Sequence, residues 1–477
     1  MSKLIKNYMY NVMYQFFLIM VPLVTAPYLS RVFTSKTLGV YGYVNSVVSI
    51  IATLGMLGLQ NYGSRQIAYN RDDEEIVSQS FSSIFLLRII LLFIITIFYI
   101  PFCFFSKYKM FFLIQYILIL AQFLDISWVF IGFEDLGIVT IRNFIAKLIT
   151  VISIFIFIRE DSDLWKYFII FSFITFITTI TIYFLLNRYV KFKKVNIKES
   201  LKHLLPAIKL FLPQIATLLY LQVDKIMIGK LTASTSQIAY YEYAEKIVLI
   251  PLAIITALNT VLMPRIANLF VNNNYKKIEE YMNKSISFAL FLSIPMMFGL
   301  MGIARGLMPW YLGEEYIFSA YAIIILSPLC VFNTISSILG AQYLTATNQT
   351  KVLTLTYYST AVVNIILNIF LIPKFGYIGA AIATLVSSFI SILIQYFFVK
   401  KEIKFNVTEG IIKNLFSSLI MFFGIFFLSS YMKISPLSTL IEIVIGVICY
   451  VGFEILLNDK MLLYILKKGI ELLWRKK

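Results

Sequence analysis

Fourteen stretches of this 477-residue chain stay apolar for about 20 residues, the length at which a helix rising 1.5 Å per residue crosses about 30 Å of hydrocarbon. They fall near 10–30, 38–60, 81–105, 110–131, 137–158, 164–186, 207–229, 238–263, 283–304, 317–342, 352–372, 377–399, 411–431 and 437–457. Where no water is present to satisfy the backbone, segments of this length must be helices. The expected fold class is therefore an all-α integral membrane protein with about 14 transmembrane helices. Composition agrees, since 60% of residues are hydrophobic and 14% charged, values that soluble globular chains do not reach. Lys3 and Lys6 precede the first segment without a small-residue cleavage site after it, so that segment is expected to stay as a helix.

The formal charge of +17 does not point to nucleic acid, because the apolar runs leave no soluble domain to carry a basic face. Membrane topology explains it better. With a cytoplasmic N-terminus, one set of connections holds Arg188, Lys191, Lys193, Lys194, Lys198 and Lys202, then Lys276, Lys277 and Lys284, then Lys400, Lys401 and Lys404. The opposite set has scattered cations such as Lys107, Lys109, Lys230, Lys374 and Lys433. That asymmetry is the positive-inside pattern, and an even helix count returns the C-terminus to the cytoplasm. The tail, KMLLYILKKGIELLWRKK, reads as a basic amphipathic helix on anionic lipid. Cys103, Cys330 and Cys449 lie far apart in apolar segments and are expected to be packing residues, and His203 is expected to be solvated in its lysine-rich connector.

The longest polar connector, Arg188 to His203, separates six helices from the rest. Shifted by 200 residues, Tyr41, Tyr43, Val48, Ile50 and Arg65 meet Tyr241, Tyr243, Val248, Ile250 and Arg265, and SRQIA in the second helix meets PRIA in the eighth. These matches predict two six-helix lobes related by a parallel repeat, the kind of duplication that places a substrate path between lobes, with two extra C-terminal helices. The expected divisions are 1–205, 206–405 and 406–477.

Particular runs narrow the choice: PYLSRVFTSKTLGVYGYVNSV, NYGSRQIAY, DISWVFIGFEDLGIVTIRNFIAKLI, LQVDKIMIGKL and YYEYAEKIVLIPLAIITALNTVLMPRIA. They resemble the polysaccharide-repeat-unit flippases, the Wzx type, within the superfamily that also contains MATE drug exporters and lipid II flippases. The resemblance covers essentially the whole chain. It implies a multi-pass protein of the bacterial cytoplasmic membrane that moves an undecaprenyl-diphosphate-linked oligosaccharide by alternating access. The polysaccharide would be a capsule, exopolysaccharide or O-antigen, and a polymerase and assembly proteins would be the partners.

Ionisable side chains inside spans are costly, so each is a candidate for function. Toward the cytoplasmic half of the first lobe lie Arg88, Asp125, Arg142 and Lys147; toward the outer half lie Arg31, Asp224, Lys225, Glu242, Glu245 and Lys246. Arg31, Arg88, Lys147, Lys225 and Lys246 are the candidate cations for a diphosphate. Asp224, Glu242 and Glu245 are the candidates for proton or sodium coupling. Glu242 and Lys246, spaced i,i+4, are expected to share one helix face. In the lipid II branch of the superfamily an aromatic, an alanine, a basic residue and then proline supply a cavity cation, and by that resemblance Tyr241, Ala244, Lys246 and Pro251 fit. Blander readings stand beside these. Lys246 snorkels outward, Arg31 anchors the interface, Asp224 and Lys225 neutralise partners in the bundle, and Asp125 and Arg142 form a local structural pair.

No phosphate loop, metal-ligand cluster or Ser/His/Asp constellation occurs in the sequence, so a transporter without cofactor is expected rather than an enzyme. A lipid II flippase, a MATE-like cation-coupled exporter and, further off, a membrane polysaccharide polymerase are the rival readings.

Overall fold

Helix ends in this chain follow its short polar side chains. Thr34, Asp73, Asn196, Asn274 and Ser435 each accept a bond from a backbone N–H in the first turn of the helix they precede, and Pro436 sits where its missing N–H costs nothing. The computed structural model describes residues 17, 20–250, 252–406 and 408–474, and among these every regular element is helical. In chain order they are α1 (20–32), α2 (Ser35–Met56), α3 (Leu59–Asn70), α4 (Glu74–Phe105), α5 (Lys109–Leu124), α6 (Ser127–Gly132) and α7 (Leu136–Phe157). Then come α8 (Leu164–Thr181), α9 (Ile197–Leu201), α10 (Leu204–Leu231), α11 (Ser236–Leu249), α12 (Leu252–Val271), α13 (Tyr275–Leu312), α14 (Ile317–Leu326) and α15 (Leu329–Ser337). Last are α16 (Thr350–Phe375), α17 (Tyr377–Val399), α18 (Thr408–Tyr431), α19 (Pro436–Leu456) and α20 (Lys460–Trp474).

Ten of the described helices are long and apolar enough to cross a membrane, or twelve when each of two bent pairs counts as one span. The first of the fourteen expected spans lies partly outside the described residues. Pro251, within the eighth, also lies outside them. Two compact units emerge, Met1–Ile226 and Met227–Lys477. Their division falls inside α10, beyond the expected boundary at 205, because the start of α10 packs within the first unit. Ala207 belongs to the first unit's core, and a Cβ on Gly58 would meet the Phe211 Cβ at 2.7 Å.

In the first unit, α2 and α3 are parted at Leu57 and Gly58, both with positive φ (47° and 75°), and α5 and α6 are parted at Asp125 and Ile126. In the second unit, α14 and α15 are parted at Ser327 and Pro328. The fourth span of each series is therefore broken, and Ser127 and Ser327, which follow or form these breaks, stand at the 200-residue spacing that relates the tyrosines.

The first unit's core is built on α3, α4 and α6, where Trp128, Phe81 and Ile67 are fully buried. Glycines let these helices approach closely: a Cβ on Gly63 would lie 2.5 Å from the Trp128 ring and one on Gly132 2.5 Å from Ile67. The expected solvated connector instead crosses this core's end. Lys191 and Lys193 donate backbone N–H bonds to Ser78 and Ser82 Oγ (3.1 and 2.8 Å), and their ammoniums pair with Glu74 and Glu75 at 2.9 and 2.6 Å. His203 is half-buried rather than solvated, its Nδ1 2.8 Å from the Tyr62 hydroxyl. Tyr62 in the neighbouring core draws the ring in, since an imidazole edge next to a buried phenol satisfies both.

In the second unit α16 and α17 form a hairpin turned by Gly376, whose φ of 60° and ψ of −136° exclude a side chain. The turn is tied to α11, because Gln237 Oε1 accepts the Tyr377 N–H at 2.9 Å. Small buried residues, Gly379, Ala380, Ala383 and Ser387, line the α17 side of the unit. A Cβ on Gly379 would fall 2.3 Å from the Leu371 carbonyl oxygen, a backbone atom that cannot step aside. Gly379→Val should therefore separate the hairpin and cost about 1–3 kcal/mol. The check is the unfolding temperature of the purified protein in detergent, and an unchanged value would count against so close a contact.

Candidate functional site

The break between α5 and α6 leaves carbonyl groups without helical partners, and the sequence brings Arg88 of α4 to them. Its guanidinium, fully buried, donates to the carbonyls of Asp125 and Gln122, both at 2.6 Å, and reaches the Met56 sulfur at 3.6 Å. Tyr183 Oη adds a bond to the Leu124 carbonyl at 2.6 Å. The Asp125 carboxylate turns the other way, to Arg142 of α7 at 2.9 and 3.4 Å and to the N–H and hydroxyl of Ser127. Asp125 and Arg142 thus form the local pair foreseen for them. Arg88, foreseen as a cation for substrate, has its charge directed at backbone carbonyls, where it joins α4 to the broken span.

The other first-unit candidates lie on α1, α7 and α10. Lys147 lies on α7, a helix with Ile141, Phe144, Leu148 and Ile152 exposed, and its ammonium is 5.3 Å from the centre of the Phe171 ring. Arg31, at the end of α1, is exposed and donates to the Pro27 carbonyl at 2.7 Å. Asp224 is buried and Lys225 half-buried on α10.

In the second unit, α11 carries the stretch YYEYAEK. Lys246 Nζ is 2.6 Å from Glu242 Oε1 in the expected i,i+4 pairing, and lies 5.2 Å from the centre of the Tyr243 ring. The lysine side chain keeps 49% of its surface exposed, the glutamate 16%. Glu245 beside them is half-buried. Tyrosines hold this helix in place: Tyr240 and Tyr243 set their rings edge-on to Tyr316, at 6.0 and 5.4 Å, and Tyr240 also contacts Tyr377. Tyr241 points inward, its hydroxyl 3.0 Å from Thr384 Oγ1 of α17.

A search for charges passes over what continues from Tyr241. Asn364 of α16 donates to Thr384 Oγ1 at 3.3 Å, and Asn368 donates to Asn364 Oδ1 at 3.1 Å, all buried. Two asparagines spaced i,i+4 in the run VVNIILNIF were the available signal, because amides in a span need partners on neighbouring helices. Two carboxylates on α19 were also missed. Glu442 and Glu454 are 3% and 0% exposed in an otherwise apolar span, where an ionisable side chain is costly and so signals function.

The profile of the polysaccharide biosynthesis protein family matches residues 4–270, and that of the MatE family residues 210–370. A "Putative O-antigen transporter" of Shigella dysenteriae is 25% identical over 387 residues, 80% of this chain and 95% of that protein. The "Probable low-salt glycan biosynthesis flippase Agl15" of Haloferax volcanii is 28% identical over 230 residues, a match spanning about half (48%) of each chain. Among solved structures, a lipid II flippase MurJ in an inward closed conformation aligns with a TM-score of 0.74 at 20% identity, covering 95% of this chain and 99% of that one. An inward-facing MATE family transporter aligns with a TM-score of 0.62 at 14% identity, covering 80% and 94%. The helical order is that of these transporters. With more than half its length matched, the chain belongs to the polysaccharide biosynthesis protein family, as the resemblance of its helix-end motifs to Wzx-type flippases implied.

Proposed function

We propose that this protein carries an undecaprenyl-diphosphate-linked oligosaccharide repeat unit across the bacterial cytoplasmic membrane, by alternating access, for capsule, exopolysaccharide or O-antigen synthesis. The observation that carries the reading is the match to the O-antigen transporter over 95% of that protein's length. The proposed arrangement has fourteen spans in two six-helix lobes with two added helices, both termini cytoplasmic, and a polysaccharide polymerase among its partners. Lys246, Arg31, Lys147 and Lys225 supply positive charge to the diphosphate, while Arg88 acts by holding the broken span. A group that is half-exposed yet paired with a carboxylate, as Lys246 is, can exchange that partner for phosphate. Asp224, Glu242 and Glu245 are the proposed carriers if a proton or sodium gradient drives transport.

Deleting the gene tests the reading. The expected result is loss of the surface polysaccharide with accumulation of its diphosphate-linked intermediate, whose glycan mass spectrometry identifies. Accumulated lipid II would assign the protein to the other flippase branch, and an unchanged lipid-linked pool would remove the flippase reading. The same intermediate, supplied to the reconstituted protein with imposed proton or sodium gradients, shows whether transfer is coupled.

A further inference from the structure

At one end of the second unit α13, α18 and α20 border a cavity of about 380 Å³, within the range of about 300–1,000 Å³ usual for small-molecule sites. Lys284, Lys413 and Lys460 line it. Their partners do not match them in number among the lining groups. Glu409 is shared by Lys413 and Lys460, at 2.9 and 2.8 Å, and the Asp459 carboxylate caps α20 by accepting the N–H groups of Met461 and Leu462, both at 2.9 Å. Lys284 pairs with Glu280, at 2.6 Å, which is not among the lining residues. The hydrogen bond to Glu409 raises the Lys460 pKa, so that ammonium stays charged at neutral pH. Ser287 and Asn414 add polar groups to the wall, and Asn414, with its amide nitrogen turned toward α19, donates to Glu454 Oε1 at 3.2 Å.

The lining holds three ammoniums against two carboxylates, Glu409 and Asp459, a surplus of one positive charge that an anion can meet, and the surroundings say which kind. α20 is fastened by Leu462, buried in a cluster with Met421 and Tyr450, while Leu463, Tyr464 and Leu466 stay exposed next to the exposed Lys460, Lys467 and Lys468. A helix with that surface lies in the plane where head groups meet acyl chains. The apolar span of α18 begins at Glu409, in the cavity wall, and exposes Ile412 and Phe416 within its next two turns. Phosphate-level charge and hydrocarbon-level surface are thus adjoining. Lysine, a compact and mobile point charge, suits a phosphodiester that offers no fixed planar edge.

We propose that this cavity binds the phosphate head group of an anionic glycerophospholipid, whose acyl chains lie along the exposed face of α18. The bound lipid fastens α20 to α13 and α18. This site is independent of the transported substrate, and it is available whichever glycan the protein carries.

Binding of phosphatidylglycerol to the full-length purified protein in detergent, followed by native mass spectrometry, provides the test, with phosphatidylcholine of the same chains, glycerol 3-phosphate and inorganic phosphate as comparisons. Phosphatidylglycerol should bind at least about tenfold more tightly than phosphatidylcholine, and the Lys284→Gln, Lys460→Gln double variant should lose about 30-fold in affinity, each lysine near the surface contributing about fivefold. Lys284→Arg with Lys460→Arg should restore most of it. Lys460→Gln alone covers the case of a misfolded double variant, because that side chain is 82% exposed and packs little. Equal binding of the two lipids would overturn the proposal. So would an equal loss in Lys276→Gln, an exposed lysine outside the cavity, since diffuse surface charge would then suffice. Saturation by glycerol 3-phosphate or phosphate with the affinity of the lipid would overturn it in favour of a soluble anion.

Discussion

Replacing Lys246 by alanine should lower transfer of the lipid-linked substrate by about tenfold or more while the protein still inserts in normal amount, the loss expected on removing one hydrogen bond to a charged phosphate. A diphosphate moving through a region of low dielectric needs fixed positive charge along its path, because the water that neutralises it at the surface is absent. Lys246 is placed to give it. Its ammonium is held by Glu242 at 2.6 Å and shielded on one side by the Tyr243 ring, yet half of the side chain is uncovered. Tyr241 and Tyr243, buried against Thr384 and Tyr316, keep the helix from rotating the lysine away. Lys246→Arg should retain a substantial part of the activity, since charge is kept while the planar fork differs from an ammonium. Complementation of a deletion strain, scored with membrane abundance of each variant, is the measurement. Full complementation by Lys246→Ala at normal abundance would mean the lysine only snorkels at the helix start, and the stretch YYEYAEK would be an ordinary interfacial segment.

Arg88→Met should act in the opposite manner, on folding first and on transport only as a consequence. The substitution keeps length and removes two charge-assisted bonds at a position with no exposure, taking from the Asp125 carbonyl its guanidinium donor and leaving the Gln122 carbonyl only a long bond from the Asp125 N–H, at 3.4 Å. Bonds to charged groups contribute about 1.5–3 kcal/mol each, so a loss of about 3 kcal/mol or more is expected. Unfolding in detergent reports it directly. Arg88→Lys should recover only part, because one ammonium does not reproduce the two-pronged fit to carbonyls on either side of the break. If Arg88→Met melts like the wild type and yet fails to transport, the guanidinium serves the substrate after all, and the bonds to α5 are incidental.

These two residues show what could be read without a structure. Both were legible as intramembrane cations, but only Lys246 kept its expected relation, because Glu242 is four residues away on the same helix and the helix alone sets that geometry. Arg88 meets partners 34 and 37 residues further on, across a break whose position no local pattern announces. Likewise Tyr62 meets His203 across 141 residues, and Tyr241 meets Thr384 across 143.

Sequence by itself determined the helical class, the approximate places of the spans, the caps that begin them and the pairing inside α11, since bilayer thickness, backbone hydrogen bonding and the helical repeat act over one to six turns. Tertiary structure decided where α5 breaks and what satisfies it, which carboxylates of α19 are enclosed, how Asn364 and Asn368 are joined to Tyr241, and that the lysines of α13, α18 and α20 share a cavity. Those outcomes depend on how each helix is rotated against its neighbours. In hydrocarbon that rotation is set by close packing of small residues such as Gly63, Gly132 and Gly379, not by an apolar stripe, because every face of a membrane helix is apolar enough to meet lipid.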